Sequence, residues 1–292
     1  MLDALQARIE QEIAASGAQI GVAIRHIESG ATLMIDADQP VPLASVVKIP
    51  VLVEAFRQLR AGRFHLDDRW TLRHEFKALG SGILTQFDDG LTPTVRDLLT
   101  LMIIISDNTA TDILFDRLGI DAINAHMHEL GLTHTHVAQT LTAIFKDMLP
   151  SPDPDQDRHA LARWEAEHGV RRDGFAYSLG PDNNVSTPRD MTRLVELIFK
   201  AEILDREACD AMLDIMLKQQ LNDRLPRFLP PEPASRTKPG RSAACAMIVV
   251  SSTPARTATS PSPRSRPGTT TRCAATAWRR GGAASRSTPR WA

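Results

Sequence analysis

The chain has 292 residues, of which 42% are hydrophobic and 24% charged, with a formal net charge of -1; this profile excludes a disordered, collagenous or coiled-coil chain as a whole. The length suits one large domain or two ordinary ones, with ample apolar surface to bury. No apolar run approaches the ~18–20 residues that a membrane-crossing helix needs.

In chain order, Leu2, Leu5, Ile9 and Ile13 recur at spacings of three and four, which predicts an amphipathic helix over 2–15. Acidic residues and the absence of an apolar stretch of ~7–15 residues argue against a signal peptide here. The expected location is therefore cytoplasmic as written, and periplasmic or secreted if a leader precedes residue 1. Residues 20–27 and 31–35, joined by Glu28-Ser29-Gly30, read as a β-hairpin. From Ser45 the pattern turns helical, with apolar periodicity in 47–60, 95–105, 108–118 and 121–130. Residues 149–160 form a Pro/Asp-rich loop. Thr187-Pro188 is an N-cap followed by proline at the first helical position, opening a helix through Lys200, and a further helix spans 205–219 from Asp205.

Two short clusters carry chemistry. In Ser45-Val46-Val47-Lys48 the spacing puts a hydroxyl and an amine one helical turn apart. Such an amine can take the hydroxyl's proton if it is held neutral, and the apolar run Ile49–Val53 predicts that Lys48 is buried. The bland alternative is a helix-capping serine followed by a snorkelling lysine. Ser106-Asp107-Asn108 follows the apolar run 98–105 and can point a hydroxyl and an amide into one cleft, or can simply cap the helix through Leu118. His126/His128 and His134/His136 lie two apart, which does not place both rings on one helix face; no metal site is expected. Three cysteines, an odd number, argue against a disulfide scaffold.

Together, in this order and spacing, the clusters resemble the class A β-lactamases and the penicillin-recognising serine hydrolases related to them. The third element of that family, Lys-Thr-Gly, has its counterpart in Thr237-Lys238-Pro239-Gly240. Gly80-Ser81-Gly82-Ile83-Leu84 and Asn108-Thr109-Ala110-Thr111-Asp112 add to the resemblance, which covers roughly residues 1–240.

The resemblance implies an α/β fold of the β-lactamase/transpeptidase type: a five-stranded antiparallel sheet flanked by helices, plus an all-helical domain, with the site between them. It divides the chain into an α/β part (1–44), a mostly helical domain (45–186), a return to the α/β part (187–240) and a tail (241–292). It also implies roles. Ser45 would be the acylated nucleophile, and its N–H half of the oxyanion hole. Lys48 would be its proton partner, and Ser106 would pass a proton toward the leaving nitrogen. Asn108 would bind the substrate amide and Lys238 its carboxylate, with the second oxyanion donor just after Gly240. The substrate would be a small molecule, a β-lactam or an acyl-D-Ala-like amide or ester; no cofactor, nucleic acid or membrane partner is implied, and a monomer is expected.

Two departures stand out. Class A enzymes carry a deacylating Glu in a loop downstream of Ser-Asp-Asn. Here that position falls in Val137–Phe145, which contains no carboxylate. Arg163-Trp164-Glu165 resembles the family loop but comes too late in the chain, after the Pro/Asp-rich loop, so Glu165 is a weaker candidate for the general base. That profile suits a penicillin-binding D-Ala-D-Ala peptidase or esterase as an alternative.

The second departure is the tail. Residues 241–292 hold nine Arg and no Lys, Asp or Glu, while the first 240 hold 25 basic against 35 acidic residues. A basic nucleic-acid-binding arm explains only the charge. One base lost inside the Thr codon of Lys-Thr-Gly yields Lys238-Pro239-Gly240-Arg241-Ser242, and the other reading frame through Ser265 can encode two β-branched strands. A frameshift therefore explains the composition break and Pro239 together. It leads to the expectation that the tail supplies no proper edge strands and leaves a protease-sensitive, nearly inactive product.

Overall fold

A computed structural model describes residues 2–151, 158–221 and the strand 245–254. Pro239, Lys238, Gly240 and the tail beyond Pro254 lie outside the described residues, as does part of the Pro/Asp loop.

The helix α1 (Leu2–Ser16) leads into the hairpin β1 (Ala18–His26) and β2 (Thr32–Ile35). The hairpin is antiparallel, with Val22 opposite Ile35 and Arg25 opposite Thr32. None of the residues of α1 is buried, and Leu2 and Leu5 are exposed: its apolar stripe lies over the hairpin without being enclosed. A short pair, β3 (Val41–Pro42) and β4 (Val185–Ser186), is also antiparallel.

Helix α2 (Lys48–Arg60) is the central element. It is buried along Lys48–Ala55 and again at Phe56 and Gln58, so it is enclosed on every side, as the continuous apolar run predicts. Around it stand α3 (Val95–Ile104), α4 (Asn108–Leu118), α5 (Ile120–Glu129), α8 (Pro188–Lys200) and α9 (Arg206–Met216), which share one core of buried side chains including Leu52, Phe56, Leu98, Met102, Leu114, Leu194 and Met212. Helices α6 (Leu141–Met148) and α7 (Arg158–His168) precede β4. The helix starts follow their local chemistry. Thr94 and Asp97 form a reciprocal capping box on α3, and Asp107, Thr140, Thr187 and Asp205 each accept a backbone N–H in the first turn of α4, α6, α8 and α9.

The fold class expected from the sequence is the one found: an antiparallel sheet with helices against it, joined to a helical region. One expectation fails. The tail does supply a strand, β5 (Cys245–Pro254), which runs antiparallel to β1 with Val22 opposite Val249 and His26 opposite Cys245, giving the order β2-β1-β5. Strand pairing is made by backbone groups, and residues 248–250 are Ile-Val-Val, a β-branched run whatever reading frame produced it. The strand stops at Pro254, a residue with no ladder donor to give. One edge of β1 is thus covered by the tail.

Candidate active site

Ser45 lies in a 3-10 turn (Ala44–Val47) that runs into α2, rather than in the α-helix itself. The turn is set by the Val46 N–H donating to the Leu43 carbonyl (2.9 Å), and Leu43 is tied to Asn184 by a 2.8 Å backbone bond. Ala44, just before Ser45, has φ +41°, in the left-handed region that non-glycine residues rarely adopt. The result is an exposed serine one turn before a lysine that is only 2% exposed.

The Lys48 ammonium reaches four acceptors. It donates to Ser45 Oγ (3.3 Å), Ser106 Oγ (2.7 Å), the Ser106 carbonyl (2.8 Å) and Asn108 Oδ1 (2.7 Å). Ser106 Oγ in turn donates to Ser45 Oγ at 2.9 Å. An ammonium has three protons for these four acceptors, whereas a neutral amine has two and a lone pair able to accept a hydroxyl proton. Burial favours that neutral form: it pushes the Lys48 amine down to about 7, against the pull of the negative charges of Asp107 and Asp112. The sequence pairing of Ser45 with Lys48, and of both with Ser106 and Asn108, is realised in space although the two clusters lie far apart along the chain.

Ser106 can present both its carbonyl and its hydroxyl to one amine because it too is left-handed, with φ +58°. The strain, of order ~1 kcal/mol, is held by its neighbours. Ser81 Oγ donates to the Ser106 carbonyl (2.6 Å), the Asn108 N–H donates to the Ser81 carbonyl (3.0 Å), and Asn108 Nδ2 donates to the Leu79 carbonyl (2.6 Å). Asp107, fully buried, accepts from Ile83 N (2.7 Å), Leu84 N (3.0 Å) and Ala110 N (2.9 Å). The loop passes this close because Gly82, at φ +118°, has no Cβ; one would collide with the Asp107 carboxylate. Both readings of Ser106-Asp107-Asn108 therefore hold at once: Asp107 caps α4 while Ser106 and Asn108 face the lysine.

The segment 137–145 lies beside this cluster. Asn184, fully buried, accepts from Ala138 N (2.8 Å) and Gln139 N (2.9 Å) and donates to the Gln139 carbonyl (2.9 Å). Asp112 caps α6 with both oxygens, on Leu141 N (2.7 Å) and Thr142 N (2.8 Å). A turn later, the Phe145 ring closes on Gly80, where a Cβ would meet both Phe145 and Asn108. Sequence reasoning missed Ser81, Asp112 and Asn184. The available signal for Asp112 was its place four residues after Asn108 on one helix, which puts both on the same face.

Glu165 is exposed on α7, and no described hydrogen bond or ion pair links it to Ser45, Lys48, Ser106 or Asn108; its neighbour Trp164 stacks on His168 at 3.7 Å between ring centroids. Lys238 and Gly240 lie outside the described residues. Of the histidines, His126 is buried against Glu54 (2.9 Å) and His136 Nε2 faces the Pro181 carbonyl (3.0 Å).

A profile described as the beta-lactamase enzyme family matches residues 4–248. The chain is similar to the beta-lactamase VEB-1 of Pseudomonas aeruginosa, 26% identical over 148 residues, which are 50% of this chain and 50% of that protein; it thus spans about half the length of this curated relative. Among solved structures it resembles a beta-lactamase from Sphaerobacter thermophilus, at 29% identity and a TM-score of 0.61 over 81% of this chain and 79% of that one. It also resembles PBP-A, at 27% identity and a TM-score of 0.62 over 84% and 81%. With the family profile running from the first helix into β5, the chain belongs to the beta-lactamase enzyme family, among the penicillin-recognising serine hydrolases.

Proposed function

We propose that the chain acylates Ser45 with β-lactams or related amides and esters, in the manner of class A enzymes. The observation that carries this is the buried Lys48 amine within hydrogen-bond reach of two hydroxyls, one of them exposed. Ser45 Oγ attacks the carbonyl carbon while its proton passes to neutral Lys48, directly or through Ser106 Oγ. As the C–N bond breaks, Ser106 delivers a proton to the leaving nitrogen and is resupplied by Lys48. Asn108 Nδ2, with one N–H used by Leu79, keeps a second for a substrate amide. Lys238 and the segment after Gly240 are assigned to the substrate carboxylate and the second oxyanion donor on the resemblance alone.

A slow-turnover reading, that of a penicillin-binding peptidase or esterase, is favoured by one feature: the 137–145 segment next to the site has no carboxylate, and Glu165 is exposed on α7. Without a placed base the acyl-enzyme should clear more slowly by ~10²–10⁴-fold.

Incubating the 292-residue chain with a fluorescent penicillin tests the reading. Covalent label that vanishes in Ser45→Ala is expected, and its lifetime separates hydrolase from slow acyl-enzyme. Label that survives Ser45→Ala would assign the nucleophile elsewhere, and no label would defeat the acylation reading for this chain.

A further inference from the structure

Lys48 and Asp112 are opposite charges buried within one cluster, at 2% and 4% exposure, yet they form no ion pair among the described residues. Asn108 bonds the amine and shares a helix face with Asp112. Its Oδ1 takes the Lys48 amine at 2.7 Å, and Asp112 sits one turn further along the same face of α4. The carboxylate is instead spent on α6, each oxygen accepting one backbone N–H. The Thr142 hydroxyl is buried near this carboxylate and, with the two backbone N–H groups, opposes the rise that burial imposes on it.

This spacing has a consequence for proton transfer. A carboxylate in contact with Lys48 would hold the amine protonated at neutral pH and spoil it as a base. With no countercharge at all, a buried ammonium would be so costly that the amine could not keep the proton it must carry between two steps. We propose that Asp112 is a positioning residue that sets the proton affinity of Lys48 from one residue's remove while its oxygens clamp α6 against the site. Among the described residues, the other charge near the amine is Asp107, whose oxygens are held by Ile83, Leu84 and Ala110; the remaining described polar partners, Ser45, Ser106 and Asn108, are uncharged. The directions agree: both carboxylates raise the Lys48 amine, and Lys48 lowers Asp112, which burial raises. The clamp carries to the site through Phe145, one turn after Thr142, which packs on Gly80 and Asn108.

The inference deepens the acylation reading, but its test does not depend on acylation. The ε-carbons of the lysines are followed by ¹³C NMR over pH in the full chain, and the Lys48 signal is identified by its loss in Lys48→Met. In the parent the midpoint should lie near 7. In Asp112→Asn it should move down; in Thr142→Pro, which removes one clamped N–H within the first turn of α6 and keeps the charge, it should not. An unchanged midpoint in Asp112→Asn, or an equal downward shift in Thr142→Pro, overturns the inference. Asp112→Ser, which keeps an acceptor for α6 and loses the charge, carries the same test if the amide variant does not fold. If neither folds while Asp112→Glu does, the carboxylate is a fold determinant only and the inference fails. Penicillin labelling on the same samples reports on the function separately: absent label with a shifted midpoint removes the acylation reading and leaves this one standing.

Discussion

The state of Lys48 makes a quantitative demand on the pH dependence of acylation. An ordinary lysine amine, at ~10.4, is only ~0.04% neutral at pH 7. With burial holding Lys48 at about 7, about half of the molecules are neutral at pH 7, ~10% at pH 6 and ~90% at pH 8. Burial therefore multiplies the competent population by ~10³ at neutrality. The second-order rate of penicillin acylation should rise ~9-fold from pH 6 to 8 and then level off. Replacing Lys48 with Met keeps most of the stem and removes the amine. Acylation should fall by at least ~10²-fold, as for the loss of one acid–base partner, and the step near pH 7 should disappear. A linked effect concerns stability. Because the folded state depresses this amine, between about pH 7 and ~10.4 the unfolded chain binds more protons than the folded one. Stability therefore increases with pH over that window by up to ~5 kcal/mol, an increase that Lys48→Met should abolish. Stopped-flow acylation and urea titrations at stepped pH measure the two. A rate flat between pH 6 and 8, or one climbing tenfold per unit through pH 9, would refute the assignment of Lys48 as the neutral base.

Two further substitutions probe what holds the site. Glu54, fully buried on α2, is opposed by burial but held down to about 2 by hydrogen bonds from His126, Arg57 and Gln58; Glu54→Gln should cost ~3 kcal/mol at pH 7. Since the folded carboxyl is depressed, that contribution is present above pH ~4.5 and fades as pH falls toward 2, so urea midpoints of parent and variant that stay as far apart at pH ~2 as at pH ~7 would contradict it. Asn184→Ala removes three buried hydrogen bonds that fix Ala138 and Gln139, at ~2–4 kcal/mol. Asn184→Asp, which keeps the oxygen that accepts both N–H groups and loses the donor to Gln139, should fall between, and equal thermal midpoints for the two variants would count against the lock.

Much of the fold could be read from the chain because periodicity and caps are local. The helices at 95–105, 108–118 and 187–200 announce themselves through Thr94, Asp107 and Thr187-Pro188, each of which satisfies N–H groups within four residues. The hairpin at 20–35 follows from β-branched residues around a Ser-Gly turn. Helix α6 did not show itself: Thr140 caps it locally, but the rest of its first turn is held by Asp112, which belongs to α4 much earlier in the chain, and no local pattern marks that second partnership. The strand at 245–254 was discounted because composition and prolines dominate the tail, whereas pairing with β1 draws on backbone groups and needs only a short β-branched run.

The sequence by itself determined the candidate groups. A hydroxyl and an amine one helical turn apart at the start of a buried apolar helix, and a second hydroxyl and an amide further along the chain, already point to a proton passed between serine and lysine. Only the tertiary structure decided how those groups act together. Burial by α2's neighbours lowers the amine toward neutrality, the left-handed turn at Ser106 aims two oxygens of one residue at it, and the carboxylates of Asp107 and Asp112 stand close enough to tune the amine without pairing with it. Each of these depends on distance and dielectric rather than on residue type, and none is written along the chain.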